Sequence, residues 1–144
     1  MPTHTETREL PYTSDQMFDL VSDIARYPEF LPWCNSTRII RKEGDMVLAE
    51  LTIGYKMFRE KFTSRVYLDK ENKTINVSYV SGPLKHLSNE WKFHKLPKKH
   101  CRIEFFVRFE FSNPILSGLM NMFFDVAFRQ MVSAFEKRAA EIYS

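Results

Sequence analysis

The sequence predicts an α+β protein, a curved antiparallel sheet of seven strands wrapped around a long C-terminal helix, with short helical structure after the first strand. Three observations carry this expectation. Apolar residues recur with a period of two from Asn35 to Phe111, interrupted only by turn-length gaps. A helical period precedes that region and another follows it, from Pro114 to Ile142. Gaps this short join neighbouring strands as hairpins, so the sheet is antiparallel, and one covered face is enough to bury it.

The 144 residues suffice for one domain spanning 1–144 and leave no room for a second. Thr3 to Leu10 alternates weakly and reads as an edge-like first strand. Thr13-x-x-Gln16 has the form of a capping box, after which Met17, Phe18, Val21, Ile24 and Ala25 share one face of a short helix. Pro28 disfavours helical geometry at Tyr27 and is expected to end that helix. The octet YPEFLPWC, Tyr27 to Cys34, then packs three aromatics and two prolines into a stretch that suits neither a long helix nor a central strand.

Ser36 to Lys42 and Met46 to Tyr55 flank EGD, a hairpin signal, and Val47, Ala49, Leu51 and Ile53 form one apolar face. Phe58 to Leu68 places Phe58, Phe62, Val66 and Leu68 on one side, and Ile75, Val77 and Tyr79 repeat the pattern beyond the turn at KENK. Gly82-Pro83 interrupts. Trp91 and Phe93 then share a face of Leu87 to Leu96, and Cys101, Ile103, Phe105, Val107, Phe109 and Phe111 give the cleanest alternation of all. Asn113 and Pro114 provide a cap and a first-turn proline for a helix expected to run unbroken to Ile142. Its first half, to Phe128, is apolar nearly all round, so it requires cover on every side or faces a cavity, a dimer partner or a membrane.

Composition narrows the function classes. No apolar run reaches the ~18 residues of a membrane-spanning helix and MPTHTETREL lacks a signal-peptide core, so a cytoplasmic location is expected. Cys34 and Cys101 have no C-x-x-C spacing and read as small core residues. His4, His86, His94 and His100 show no metal-ligand spacing, and no nucleophile motif or Gly-rich phosphate loop is present, so neither cofactor nor catalysis is expected. Glu60 shares the parity of Phe58 and Phe62, which allows either a general base in a cavity or a wet carboxylate at the sheet's mouth. The net charge of +3 and pI near 8.9 discriminate little. Basic residues gather as Arg59, Lys61 and Arg65 on one strand and as Lys95, Lys98, Lys99, His100 and Arg102 around a hairpin. They suit phosphate contacts or a plain solvated face.

The element order, the segment LPYTSDQMFDLVSDIARYPEFLPWC, the stretch FREKFTSRV and the helix from NPIL onward together resemble the coenzyme Q-binding START-domain family. This family belongs to the START-like, or helix-grip, superfamily and includes ribosome-association toxins of the RatA type. The resemblance spans essentially the whole chain. It implies an apolar cavity between sheet and helix, no cofactor chemistry, and a ligand such as ubiquinone or a related polyprenyl lipid, used in respiratory electron transport with possible peripheral contact at the inner membrane. For the RatA-type members it implies instead an inhibitor acting on the 50S ribosomal subunit. Candidate ligand contacts are Phe30, Leu31 and Trp33 from the octet, and Leu51, Ile53, Phe58, Phe62, Tyr79, Trp91, Phe93 and Phe105 from the sheet. The helix adds Met120, Phe123, Phe124 and Phe128.

Overall fold

A computed structural model of the chain describes residues 3–55 and 58–143, with side chains at all of these but 55, 58, 116, 119 and 120. The first strand, β1 (Thr3–Leu10), leads to α1 (Ser14–Ser22) and a 3-10 helix (Ile24–Glu29). Six strands follow: β2 (Cys34–Glu43), β3 (Met46–Tyr55), β4 (Phe58–Asp69), β5 (Thr74–Ser81), β6 (Leu84–Leu96) and β7 (His100–Phe111). Two helices, α2 (Pro114–Asn121) and α3 (Phe124–Tyr143), complete the described chain.

The sheet has seven strands in the order β1-β7-β6-β5-β4-β3-β2, and every neighbouring pair is antiparallel. Strands β2 to β7 therefore form one continuous meander. The first strand returns to pair with the last, and α1 with the 3-10 helix carries the chain across to the far edge. Register shifts in β2–β3, β4–β5 and β6–β7 mark bulges, which bend their strands and increase local twist. The expected α+β helix-grip architecture is what the chain adopts.

The N-terminus of α1 is fixed as its sequence predicts. Thr13 Oγ1 accepts from the Gln16 amide at 3.0 Å while Gln16 Oε1 accepts from the Thr13 amide at 2.9 Å, satisfying two otherwise orphaned donors. The helix ends sooner than expected, at Ser22, because Asp23 leaves helical geometry with ψ 70°. Pro28 lies inside the 3-10 helix that follows. That tighter coil brings Tyr27 back beneath α1, where its hydroxyl donates to the Val21 carbonyl, one of the acceptors a helix end leaves unpaired.

Strand β6 starts at Leu84, earlier than Leu87. Gly82 turns the chain at φ 142°, where an added Cβ would lie 2.9 Å from both the Lys61 carbonyl and the Tyr79 hydroxyl. Pro83 O then accepts from the Ser112 amide at 2.9 Å, pinning the turn to the end of β7.

The C-terminal helix is not continuous. Asn113 caps it, with Oδ1 accepting from the Ile115 amide at 2.9 Å, but Met122 and Phe123 separate α2 from α3. A straight helix would have carried its all-round apolar half along the sheet. Across the break the contacts change: α2 packs on β7, and α3 packs on α1 and β1. Met122, within the break, is 73% exposed, while Phe124, at the start of α3, is buried.

Replacing Thr13 by alanine should remove the capping box and lower stability by about 1 kcal/mol, read as a fall in the urea midpoint at unchanged m-value.

Candidate functional site

Between the concave face of the sheet and α3 lies a cavity of about 230 Å³. Its wall follows the two-residue parity of the strands: Leu51 and Ile53 from β3, Phe62, Ser64 and Val66 from β4, Ile75 and Val77 from β5. Strand β6 adds Leu84, Leu87, Asn89 and Trp91, and β7 adds Phe105, Val107, Phe109 and Phe111. Ala127, Phe128, Met131 and Phe135 of α3 lie opposite, and Ile24, Tyr27, Leu31 and Trp33 close a further side.

The hollow persists because the rings around it brace one another. Trp91 meets Phe105 at 4.7 Å and Phe135 edge-on at 5.4 Å between centroids, and Phe109 meets Phe124 at 4.7 Å. Rings held by two or more neighbours cannot rotate inward to fill the space without losing these edge and offset contacts. The YPEFLPWC octet acts as a strap. Trp33 O accepts from Gly54 of β3 at 2.8 Å and Trp33 Nε1 donates to Ala127 O of α3 at 3.2 Å.

Of the candidate contacts, Leu31, Trp33, Leu51, Ile53, Phe62, Trp91, Phe105 and Phe128 come together in this wall. Five others lie outside it. Phe30 packs edge-on against Phe135 at 5.2 Å with the Arg138 guanidinium over its ring, bracing the wall from behind. Tyr79 accepts at its hydroxyl from the Leu84 amide at 2.9 Å and so holds the β5–β6 turn. Phe93 is buried beneath α1, edge-on to Phe18 at 5.8 Å. Phe124 is core between Phe109 and Phe128, and Phe123 sits half-buried at the helix break. The side chains of Phe58 and Met120 fall outside the described residues.

Pattern reading overlooked Ser64 and Asn89, since both interrupt apolar faces; their parity with Phe62 and Trp91 was the available signal. It also overlooked Tyr27, whose hydroxyl is tied to Val21, and Phe135, which is 1% exposed.

Tyr27 is the ionisable side chain in the wall, and burial first, with Cys34 and Asp23 adding charge repulsion, pushes its phenol well above the usual range. Glu60 is exposed and outside the wall. Among the described residues no group of His, Cys, Asp and Glu is placed to hold a metal ion, and no helix is long and apolar enough to cross a membrane.

A hollow held under a helix gripped by a seven-stranded sheet defines a START-like protein. The chain belongs to the polyketide cyclase / dehydrase and lipid transport family, whose model matches residues 10–136. It is 38% identical over 146 residues to the ribosome association toxin RatA of Rickettsia prowazekii, covering 99% of each chain. It is also 32% identical over 143 residues to the mitochondrial coenzyme Q-binding protein COQ10 homolog B of Xenopus laevis, covering 97% of this chain and 59% of that one. Among solved structures, the ZhuI aromatase/cyclase of Streptomyces sp. R1128 superposes with a TM-score of 0.90 over 99% of this chain and 96% of that one. At 14% identity that likeness shows the fold alone.

Burial raises both cysteine thiols, Cys34 and Cys101, from 9.0 to about 11. The folded state therefore retains protons that the unfolded chain releases, so the contribution is complete below pH 9 and is lost as pH rises toward about 11. Stability measured across that window should fall with rising pH, and Cys34→Ala together with Cys101→Ala should flatten the slope.

Proposed function

We propose that this protein binds ubiquinone or a related polyprenyl lipid in its apolar cavity and presents it for respiratory electron transport, making and breaking no bond. The observation that carries the reading is the hollow itself: an aromatic-braced space whose wall offers almost nothing but hydrocarbon. An apolar cavity of roughly 150 Å³ already takes a benzene ring. About 230 Å³ therefore accommodates a substituted ring and the start of its chain, while a long tail must emerge. Each buried CH₂ contributes about 0.8 kcal/mol, so affinity needs few polar contacts. Exposed apolar side chains support presentation at a membrane surface: Ile115 of α2 is 84% exposed and Met122 73%. A relative named as a coenzyme Q-binding protein supports the choice of ligand class.

A second reading, a ribosome-association inhibitor of the RatA type acting on the 50S subunit, draws on the relatives of that name and on one feature of the hairpin between β6 and β7. Lys98 and Lys99 at its tip both adopt left-handed backbone, φ 60° and 61°, where Asn-Gly would be the unstrained choice. Two exposed lysines kept in that conformation project ammonium groups beside Lys95 and His100. The tip and α2 lie at opposite ends of β7, ~40 Å apart along an extended strand, so the two readings use separate surfaces.

Native mass spectrometry of gently purified protein should show a bound quinone or other lipid, and Val77→Phe, which grows a ring into the hollow, should expel it while preserving the circular dichroism. Repeated preparations free of lipid would count against the first reading. For the second, co-sedimentation with 50S particles should weaken steeply with salt. Lys98→Asn with Lys99→Gly should weaken it further at equal or greater thermal stability, whereas an unchanged co-sedimentation would remove the hairpin from that role.

A further inference from the structure

Five side chains in the cavity wall carry an oxygen or nitrogen atom, and two of these are already committed: the Tyr27 hydroxyl donates to Val21 O and the Trp33 indole to Ala127 O. The Trp91 indole can only donate, which leaves Ser64 and Asn89 as the side chains able to accept. Ser64 is 6% exposed, and among the described residues its hydroxyl has no hydrogen-bond partner. Asn89 donates from Nδ2 to Phe106 O at 2.9 Å. A backbone carbonyl only accepts, so this bond fixes which way the amide points and leaves Oδ1 as a free acceptor. Both residues face the hollow from one wall, on β4 and β6 with β5 between them.

Both groups open onto the hollow, Asn89 from a half-buried position, and a guest that covers either without giving it a partner forfeits about 1–3 kcal/mol. Alanine at 64 and leucine at 89 would fill the same positions without that cost. What the pair offers is specific: Ser64 can donate or accept, whereas Asn89 Oδ1 can only accept and so requires a donor. A ketone or a pure hydrocarbon leaves Asn89 unsatisfied; a hydroxyl satisfies it. The neighbouring wall on the same strand faces is aromatic, Phe62 beside Ser64 and Trp91 beside Asn89, which suits a ring in offset or edge contact.

From these contacts we infer that Ser64 and Asn89 form a polar subsite that selects guests carrying a hydroxyl on a ring, of the phenol or hydroquinone type, over guests of the same shape without a donor. The inference rests on the cavity being a binding site. Applied to a quinone, it means that the reduced form is the one held more tightly.

Isothermal titration of the full chain with 4-butylphenol and with butylbenzene separates the two ideas. In a wholly apolar cavity the phenol binds more weakly, since its hydroxyl must shed water without replacement. The expected result is a phenol affinity equal to or above that of butylbenzene. Asn89→Leu should then weaken phenol binding about tenfold, and Ser64→Ala by about threefold, with butylbenzene little changed in either. Should Asn89→Leu fail to fold, the smaller Ser64→Ala change carries the test. If both probes bind and neither variant alters their ratio, the polar subsite is overturned while the cavity stands as a binding site. If neither probe binds the folded wild type, both ideas fall together.

Discussion

The structure depends on a constraint of packing: large rings on the concave face of a curved sheet hold one another too firmly to close the space between them. Interiors ordinarily reach close-packed density, and a void forfeits the contacts its lining would otherwise make. Here the cost is spread over a wall in which Trp91 is locked between Phe105 and Phe135, and Phe128 among Phe105, Phe109 and Phe124. None of these rings can move inward to relieve it without breaking an aromatic contact behind. A guest of hydrocarbon character would restore the lost contacts at no such expense, which is the physical basis of the proposed function.

A hollow of this kind needs its covering helix held at a distance, and the two edges of the cavity do this by polar means. Along one edge, the nearly buried His4 of β1 meets Asp125 of α3 at 3.0 Å and Glu6 at 2.9 Å, while its ring stacks on Phe128. Arg8, four residues further along β1, reaches Ser133 Oγ at 3.0 Å and lies 3.7 Å from Glu136. Along the other edge, Trp33 ties α3 to β3 through two main-chain partners. Hydrogen bonds set a separation in a way that apolar contact does not, since their energy falls steeply outside a narrow range of distance and angle. The helix is thus suspended between an ion-paired edge strand and a proline-stiffened strap.

Much of this was legible from residue order. Period-two alternation found the strands and the inward face of β3 to β7, because a side chain's face on a strand depends on parity alone. That is why Leu51, Phe62 and Phe105 could be placed in the wall. Parity does not say how far along a strand the cavity extends, so Phe93, on the correct face, proved to lie under α1, and Tyr79 proved to be spent on a turn. The break at Met122 and Phe123 left no mark either, since neither residue is a helix breaker. Hydrophobic pattern also concealed Ser64 and Asn89, because each is a single polar residue on an otherwise apolar strand face.

That last omission is instructive about how such a cavity acquires selectivity. Apolar contact is nearly indifferent to chemical identity, and one methylene more or less changes affinity by a factor that evolution can tolerate. A donor or acceptor buried among rings is not indifferent, because the wrong guest leaves it unpaired and the right one does not. In the proposed function, the braced wall sets the hydrophobic character of the guest, and the sparse polar atoms in it discriminate among such guests.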